Sequence, residues 1–237
     1  MNLLLLTESD RVSDDLFQVG ERRAEHIKCV LRAQPGDSLK AGMLNGGTGT
    51  AELLEVERDR VLLRCPAFDR TPPPPSRIVP VISLPRPQSF KKTLHFIASS
   101  GIREAWFIAS EKVEKSYWKS SAMEPSAIES ELMLGLEQGV DTILPQLVFR
   151  RSFREALDEL GKLSAADTRI IAHPMDQARD CPLHPEGRTW IAIGPEGGYT
   201  DREVRAFLDA GFVPVSLGRH ILRVEFALAC LSGMLRV

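Results

Sequence analysis

The sequence lacks the features that announce several common protein classes. Its four cysteines, Cys29, Cys65, Cys181 and Cys230, lie far apart and form no C-x-x-C pair. That excludes a dense disulfide framework and the usual zinc sites, and four reduced, mostly buried thiols are expected. No apolar run approaches the roughly 18 residues that a spanning helix needs. The apolar run at 3–6 is too short for a signal-peptide core, and no basic residue precedes it. The chain is therefore expected to be cytoplasmic, with no membrane contact. Charge of either sign is not in excess either: 30 Lys and Arg face 32 Asp and Glu, a net of −2. Residues 1–75 hold 10 basic and 12 acidic groups, and 76–237 hold 20 of each. Such a balance excludes a strongly basic, non-specific nucleic-acid binder. Any RNA-binding surface must come from local clustering.

What is present suffices for a folded core. Of 237 residues, 43% are apolar and 26% charged, which suits one large or two modest globular domains. One boundary stands out at Thr71-Pro72-Pro73-Pro74-Pro75-Ser76. Four prolines in a row can continue neither a helix nor an interior strand, so they predict a stiff extended linker. The reading is two domains, 1–71 and 76–237.

Strand signals dominate before the linker. Segments 38–44 and 50–57 flank Asn45-Gly46-Gly47, a turn whose residues tolerate positive φ. A third strand is predicted over 60–65 and one helix over 21–31. Together they describe a small β-barrel. After the linker, strands and helices alternate. Strands are predicted at 78–84, 105–109, 169–172, 190–193 and 213–217. Helices are predicted at 89–100, 125–138, 153–160, 200–210 and 223–235. Alternation of this kind argues for an α/β domain with a parallel sheet and helices on both faces.

Three loops of the second segment carry candidate chemistry, because open α/β sheets bind ligands at the carboxyl ends of strands. In the first, strand 190–193 runs into Gly194-Pro195-Glu196-Gly197-Gly198-Tyr199 and then into a helix. Thr200 and Glu203 have capping-box spacing, and Gly211 closes that helix. Adjacent glycines let a ligand approach the main chain closely, and Glu196 is an isolated carboxylate there. Neither G-x-G-x-x-G nor Gly-Lys-Ser/Thr is present, so this is neither a dinucleotide fingerprint nor a P-loop. The same pattern also serves a bare strand-to-helix turn. In the second loop, Ser216-Leu217-Gly218-Arg219-His220 leads to Ile221-Leu222-Arg223-Val224-Glu225. Arg223 and Glu225 are charges set in apolar sequence, so each is either paired or facing a site. A pairing with Glu196 is one option. The third loop is Ala172-His173-Pro174-Met175. No second histidine stands at ligand spacing from His173, so no metal is expected. The last helix shows no polar face from 224 to 237, which suits either a core helix or one covered by another subunit.

In order and spacing these loops resemble the RsmE family of the SPOUT superfamily. The resemblance rests on His173-Pro174, on Ile193-Gly194-Pro195-Glu196-Gly197-Gly198 and on Leu217-Gly218-x-x-Ile221-Leu222-Arg223-x-Glu225. Further likeness lies in His26-Ile-Lys-Cys-Val-Leu31-Arg32 with Pro35-Gly36-Asp37, in Ser110-Glu111-Lys112 and in Glu137-Gln138. That family methylates uridine N3 in 16S ribosomal RNA of the small subunit. The resemblance implies a trefoil-knotted parallel sheet at 76–237, a PUA-like RNA-binding barrel at 1–71, and a homodimer packed through the knot helices.

It also implies that S-adenosylmethionine sits among the three loops. Its contacts would be Ala172, His173 and Pro174 from one; Ile193, Gly194, Glu196, Gly197 and Gly198 from another; and Ser216, Leu217, Gly218, Ile221 and Leu222 from the last. Methylating N3 requires stabilising charge on the pyrimidine oxygens, a base, or both. Arg223 is the candidate for the first role. Glu196 and Glu225 are candidates for orienting Arg223 or accepting the proton. Arg22, Arg23, Lys28 and Arg32 are the barrel's candidate phosphate contacts.

The chain departs from the family pattern at five points. Val224 and Phe226 replace threonines, Asp141 replaces an arginine, and Phe96 and Ser99 replace a lysine and a glutamate. Those departures leave two alternatives open: a SPOUT methyltransferase with another RNA target, or a catalytically weak RNA-binding or ribosome-assembly factor.

Overall fold

The computed structural model describes residues 2–174, 178–181, 185 and 187–235. Met175 of the third loop, and Arg236 and Val237 of the last helix, lie outside the described residues. The chain divides into two compact units. One holds Met1–Pro74 together with Leu132–Leu144, the other Pro75–Glu131 and Pro145–Val237.

The first unit is a five-stranded sheet. Its strands are β1 (Leu4–Leu6), β2 (Leu16–Gly20), β3 (Ser38–Met43), β4 (Thr48–Val56) and β5 (Arg60–Arg64), in the order β1-β3-β4-β5-β2. β1 runs parallel to β3 and the other pairs are antiparallel. β3 turns into β4 at Asn45, which adopts a φ of 59°. Alternate residues of all five strands meet in one core: Leu4, Phe17, Ala41, Leu53 and Leu63 among them. Five strands burying one shared face is what a curled sheet does. β1 and β2 went unread in the sequence. A three-residue apolar run has no period to detect, and β2 is only five residues long.

The helix expected at 21–31 is composite: α1 (Glu21–Glu25) passes into a π-helical stretch, His26–Leu31, that ends on left-handed Arg32. Two of its arginines serve the fold. Arg22 makes a bidentate pair with the buried carboxylate of Glu137, at 2.8 and 3.0 Å. Arg23 makes another with Asp10, at 2.7 and 2.6 Å. Burial pushes the Asp10 carboxyl up. The Arg23 guanidinium and the Thr7 N–H and hydroxyl outweigh that and hold it below its ordinary value. An acid whose folded pKa is depressed stabilises the protein above its unfolded pKa, and loses that contribution as pH falls through the folded value. Asp10→Asn should therefore cost about 1–2 kcal/mol at pH 7. Urea midpoints of variant and wild type should converge as pH drops below about 4. A gap that does not narrow at all between about pH 6 and about pH 2 would refute the linkage.

Asp141, the charge-reversed departure, also has local work. It is buried, and its Oδ1 accepts from the main-chain N–H groups of Thr142 at 2.7 Å and Ile143 at 3.1 Å. It shapes the turn that leaves the helix bearing Glu137.

Among the described residues the second unit is an all-parallel sheet of seven strands. Chain order gives β6 (Ile78–Ser83), α2 (Pro87–Ser99), β7 (Glu104–Ile108), α3 (Pro125–Gly139, which belongs to the first unit from Leu132 on), β8 (Gln146–Arg150) and α4 (Phe153–Leu160). Then come β9 (Thr168–Ala172), β10 (Arg179–Asp180), β11 (Thr189–Ile193), α5 (Asp201–Asp209), β12 (Val213–Ser216) and α6 (Val224–Leu235). In space the strands run β10-β12-β9-β11-β6-β7-β8. Every residue of β6 and β11 is buried, as sheets covered on both faces require. The strand β8 was absent from the sequence reading, because its partly buried residues carry no strong alternation. Trp106 and Trp190 pack edge to face at 5.8 Å within one core.

The chain builds outward from β6 to β8, returns to the other side of β6, and there places β11, β9 and β12 side by side. This reversal is a switch point, and the carboxyl ends of β9, β11 and β12 open onto it. α6 then packs against α2, β6 and β11. It is less enclosed than its composition suggests, since Phe226 is 52% and Met234 37% exposed. The cysteines also differ from expectation. Cys65 and Cys181 are buried, but Cys29 and Cys230 are exposed. Among the described residues, no helix is long and apolar enough to cross a membrane.

Candidate functional site

The three loops converge. A cavity of about 510 Å³ lies at the carboxyl ends of β9, β11 and β12, within the range usual for small-molecule sites. From β9 it takes Ala172, His173 and Pro174; from β11, Ile193, Gly194, Glu196, Gly197 and Gly198. From β12 it takes Ser216, Leu217, Gly218, Ile221, Leu222 and Arg223. Glu225 is not among the lining residues. Lys112, Tyr199, Arg219 and His220 line the cavity as well. Tyr199, Arg219 and His220 belong to the candidate loops, whereas nothing local in the chain marks Lys112 as part of this wall. Lys112 follows β7, and its distance in the chain hides its place here.

Local chemistry explains the loop after β11. Thr200 caps α5, and Glu203 closes the box by accepting from the Thr200 N–H at 2.9 Å. The buried Tyr199 hydroxyl donates to the Ile193 carbonyl at 3.0 Å, which folds the loop back onto its own strand. Burial pushes that phenol's pKa up, so it stays a donor. Gly198 and Gly218 adopt φ values of 67° and 97°, and nothing lies within 4 Å of where a Cβ would stand on either. Main chain is thus laid open to the cavity at two points.

The charges are arranged differently from the pairing considered above. Glu196 pairs with Arg86: its Oε1 accepts from the Arg86 N–H at 3.1 Å and lies 3.8 Å from the guanidinium. Glu225 is 5% exposed and lies 3.8 Å from the Lys92 ammonium, with neither oxygen hydrogen-bonded among the described residues. Arg223 is exposed beside the cavity. Burial pushes the His173 imidazole pKa down, Asp201 raises it and Lys112 lowers it again; the net shift favours the neutral ring. Of the two threonine replacements, Val224 is buried and Phe226 exposed. Ser99 donates its hydroxyl to the Phe96 carbonyl at 3.2 Å within α2.

The residues present fit a nucleoside-type cofactor. Ile193, Leu217, Ile221 and Leu222 offer apolar walls, while the open main chain at Gly198 and Gly218 offers polar edges. Comparison with known proteins agrees. The family model for the RNA methyltransferase domain matches residues 72–236, and fold and cavity together define a protein of that class. A protein of Treponema pallidum named ribosomal RNA small subunit methyltransferase E is 30% identical over 240 residues, 97% of this chain and 88% of the relative. The Borreliella burgdorferi protein named ribosomal RNA small subunit methyltransferase E 1 is 25% identical, over 96% and 94%. The Neisseria gonorrhoeae methyltransferase E, solved bound to S-adenosyl methionine, superposes with a TM-score of 0.76. It is 25% identical, over 99% of this chain and 96% of that one. The chain belongs to the ribosomal RNA small subunit methyltransferase E family.

Proposed function

We propose that this protein transfers the methyl group of S-adenosylmethionine to N3 of a uridine in 16S ribosomal RNA, in the cytoplasm. The observation that carries the reading is the single cavity in which all three family loops meet. The solved relative bound to S-adenosyl methionine supports the cofactor, and the names of the relatives support the small-subunit RNA. Those names favour this reading over a different RNA target or a binding factor without catalysis.

The cofactor supplies an electrophilic methyl group. The protein must bring the pyrimidine to it, out of its stack, and assist loss of the N3 proton. Arg223 is an exposed residue of the cavity lining, and in this reading it holds the charge that develops on the pyrimidine oxygens. Glu196 lines the cavity and Glu225 does not, so Glu196 takes the proton in this reading. Arg86 engages one Glu196 oxygen, and the other has no protein donor among the described residues.

The remaining parts follow the same logic. The 1–71 segment serves as the PUA-like RNA-binding barrel. Lys28 and Arg32 are its phosphate contacts, because Arg22 and Arg23 are committed to Glu137 and Asp10. The 76–237 segment is the catalytic domain. Its α6 packs near β6 after β12 has formed on the far side of β9, which supports a knotted path. The exposed Phe226 and Met234 on α6 support burial of that helix against a second copy.

Labelled methyl transfer to undermodified small subunits, with the base identified by mass spectrometry, tests the reading. N3-methyluridine is the expected product. Methylation of a different base would redirect the reading to another RNA target. Cofactor binding without any transfer would favour a binding factor.

A further inference from the structure

The loop after β11 is held from outside as well as from within. β7 lies two strands away from β11 in the sheet, with β6 between them. The loop after β7 reaches across that gap at two points. Lys112 Nζ donates to the Gly197 carbonyl at 2.8 Å. The Glu111 N–H donates to Glu203 Oε1 at 2.8 Å, while Glu203 Oε2 accepts from the N–H and hydroxyl of Thr200. Glu203 is 2% exposed. One buried carboxylate thus closes the start of α5 and anchors the neighbouring loop.

The glycines show what each contact demands. A Cβ on Gly197 would stand 3.1 Å from Lys112 Cδ and 3.5 Å from its Cβ. The lysine stem therefore lies along Gly197, and that glycine is small for the sake of Lys112. Gly198 meets nothing and carries the positive φ. The adjacent glycines divide the work: one seats the lysine, the other turns the main chain toward the cavity.

We propose that Lys112 is a positioning residue that latches the 194–199 loop into its cofactor-binding shape, with Glu203 as the buried anchor. The proposal rests on the cavity being the cofactor site. An ammonium donor on a main-chain carbonyl is a strong hydrogen bond. It restrains a loop whose own main chain is left open at Gly198. Without it the loop samples other shapes, and the cofactor must select the competent fraction.

Two measurements test this. Hydrogen exchange in the free protein reads the latch without cofactor: the Gly198 amide, which donates to the Pro195 carbonyl at 2.8 Å, should exchange about tenfold faster in Lys112→Ala. Calorimetry with S-adenosylmethionine should show a Kd raised about tenfold, with the unfolding midpoint within about 2 °C of wild type. Lys112→Arg, which keeps a cationic donor, should restore most of the affinity. Gly197→Ala should act through the same contact, so the double variant should be no weaker than the weaker single. Unchanged exchange in Lys112→Ala would overturn the latch, as would multiplicative effects in the double variant. Raised exchange with an unchanged Kd would overturn the positioning role. Raised exchange in a protein whose wild type binds no S-adenosylmethionine would uphold the latch and overturn the cofactor reading of the cavity.

Discussion

Arg223→Ala should lower the rate of methyl transfer about 10²–10³-fold while the Kd for S-adenosylmethionine stays within about threefold. The expected split follows from where the side chain stands. Arg223 immediately precedes α6, its carbonyl accepts the first helical hydrogen bonds from Phe226 and Ala227, and the residue is exposed and lines the cavity. The backbone role survives truncation, so the cavity wall and helix start should stay in place. What is lost is a fixed cation where negative charge builds on the pyrimidine. Arg223→Lys should recover only part of the rate, because a point charge lacks the planar fork that can meet two acceptors. Single-turnover transfer at saturating cofactor separates this from weakened binding. Near-normal turnover in Arg223→Ala, with cofactor bound, would remove Arg223 from the mechanism.

The parts of the site that could be read in the sequence share one property: their signals are local. The capping box needs only Thr200 and Glu203 three positions apart, and both of its hydrogen bonds form. The glycines of the 194–198 loop, the strand before it and the helix after it are contiguous, so their turn was readable. Partner choice was not. Nothing near Glu196 in the chain points to Arg86, 110 residues away, and nothing near Glu225 points to Lys92. Lys112 stood out only as part of Ser110-Glu111-Lys112, with no hint that it would meet Gly197. Conversely, Arg22 and Arg23 looked like a basic cluster because their acidic partners, Glu137 and Asp10, come from other elements. The same holds for Asp141. As a reversed charge it suggested altered function, whereas in the structure its carboxylate accepts from two neighbouring N–H groups. Short strands were read where they form a continuous apolar run bounded by turns, as at 169–172 and 190–193, whereas β2 and β8 mix polar and apolar residues and β1 has three residues, so only pairing with β5, β7 and β3 reveals them.

The two candidate carboxylates should separate cleanly in experiment. Glu196→Gln should lower transfer about 10²-fold, since loss of a general base typically costs 10²–10⁴-fold. The amide can still accept the Arg86 N–H through its oxygen, so the loop contact is retained while the proton acceptor is gone. Glu225→Leu should behave in the opposite way. Its carboxylate is buried, is not among the lining residues, and among the described residues has only the exposed Lys92 ammonium at 3.8 Å. A buried charge without hydrogen bonds costs stability, and apolar replacements of similar volume are often stabilising. Against this stands the favourable position of an acid in the first turn of a helix, worth about 0.3–1 kcal/mol. The net expectation is a gain of about 1–2 kcal/mol, or an unfolding midpoint higher by about 2–8 °C. Turnover should stay within about threefold of wild type, because a side chain outside the cavity touches neither the base nor the methyl group. Full activity in Glu196→Gln together with a collapse in Glu225→Leu would reverse the assignment and make the buried carboxylate the functional one. A collapse in both would mean that Glu225 acts through the start of α6, where Arg223, Val224 and Ala227 line the cavity.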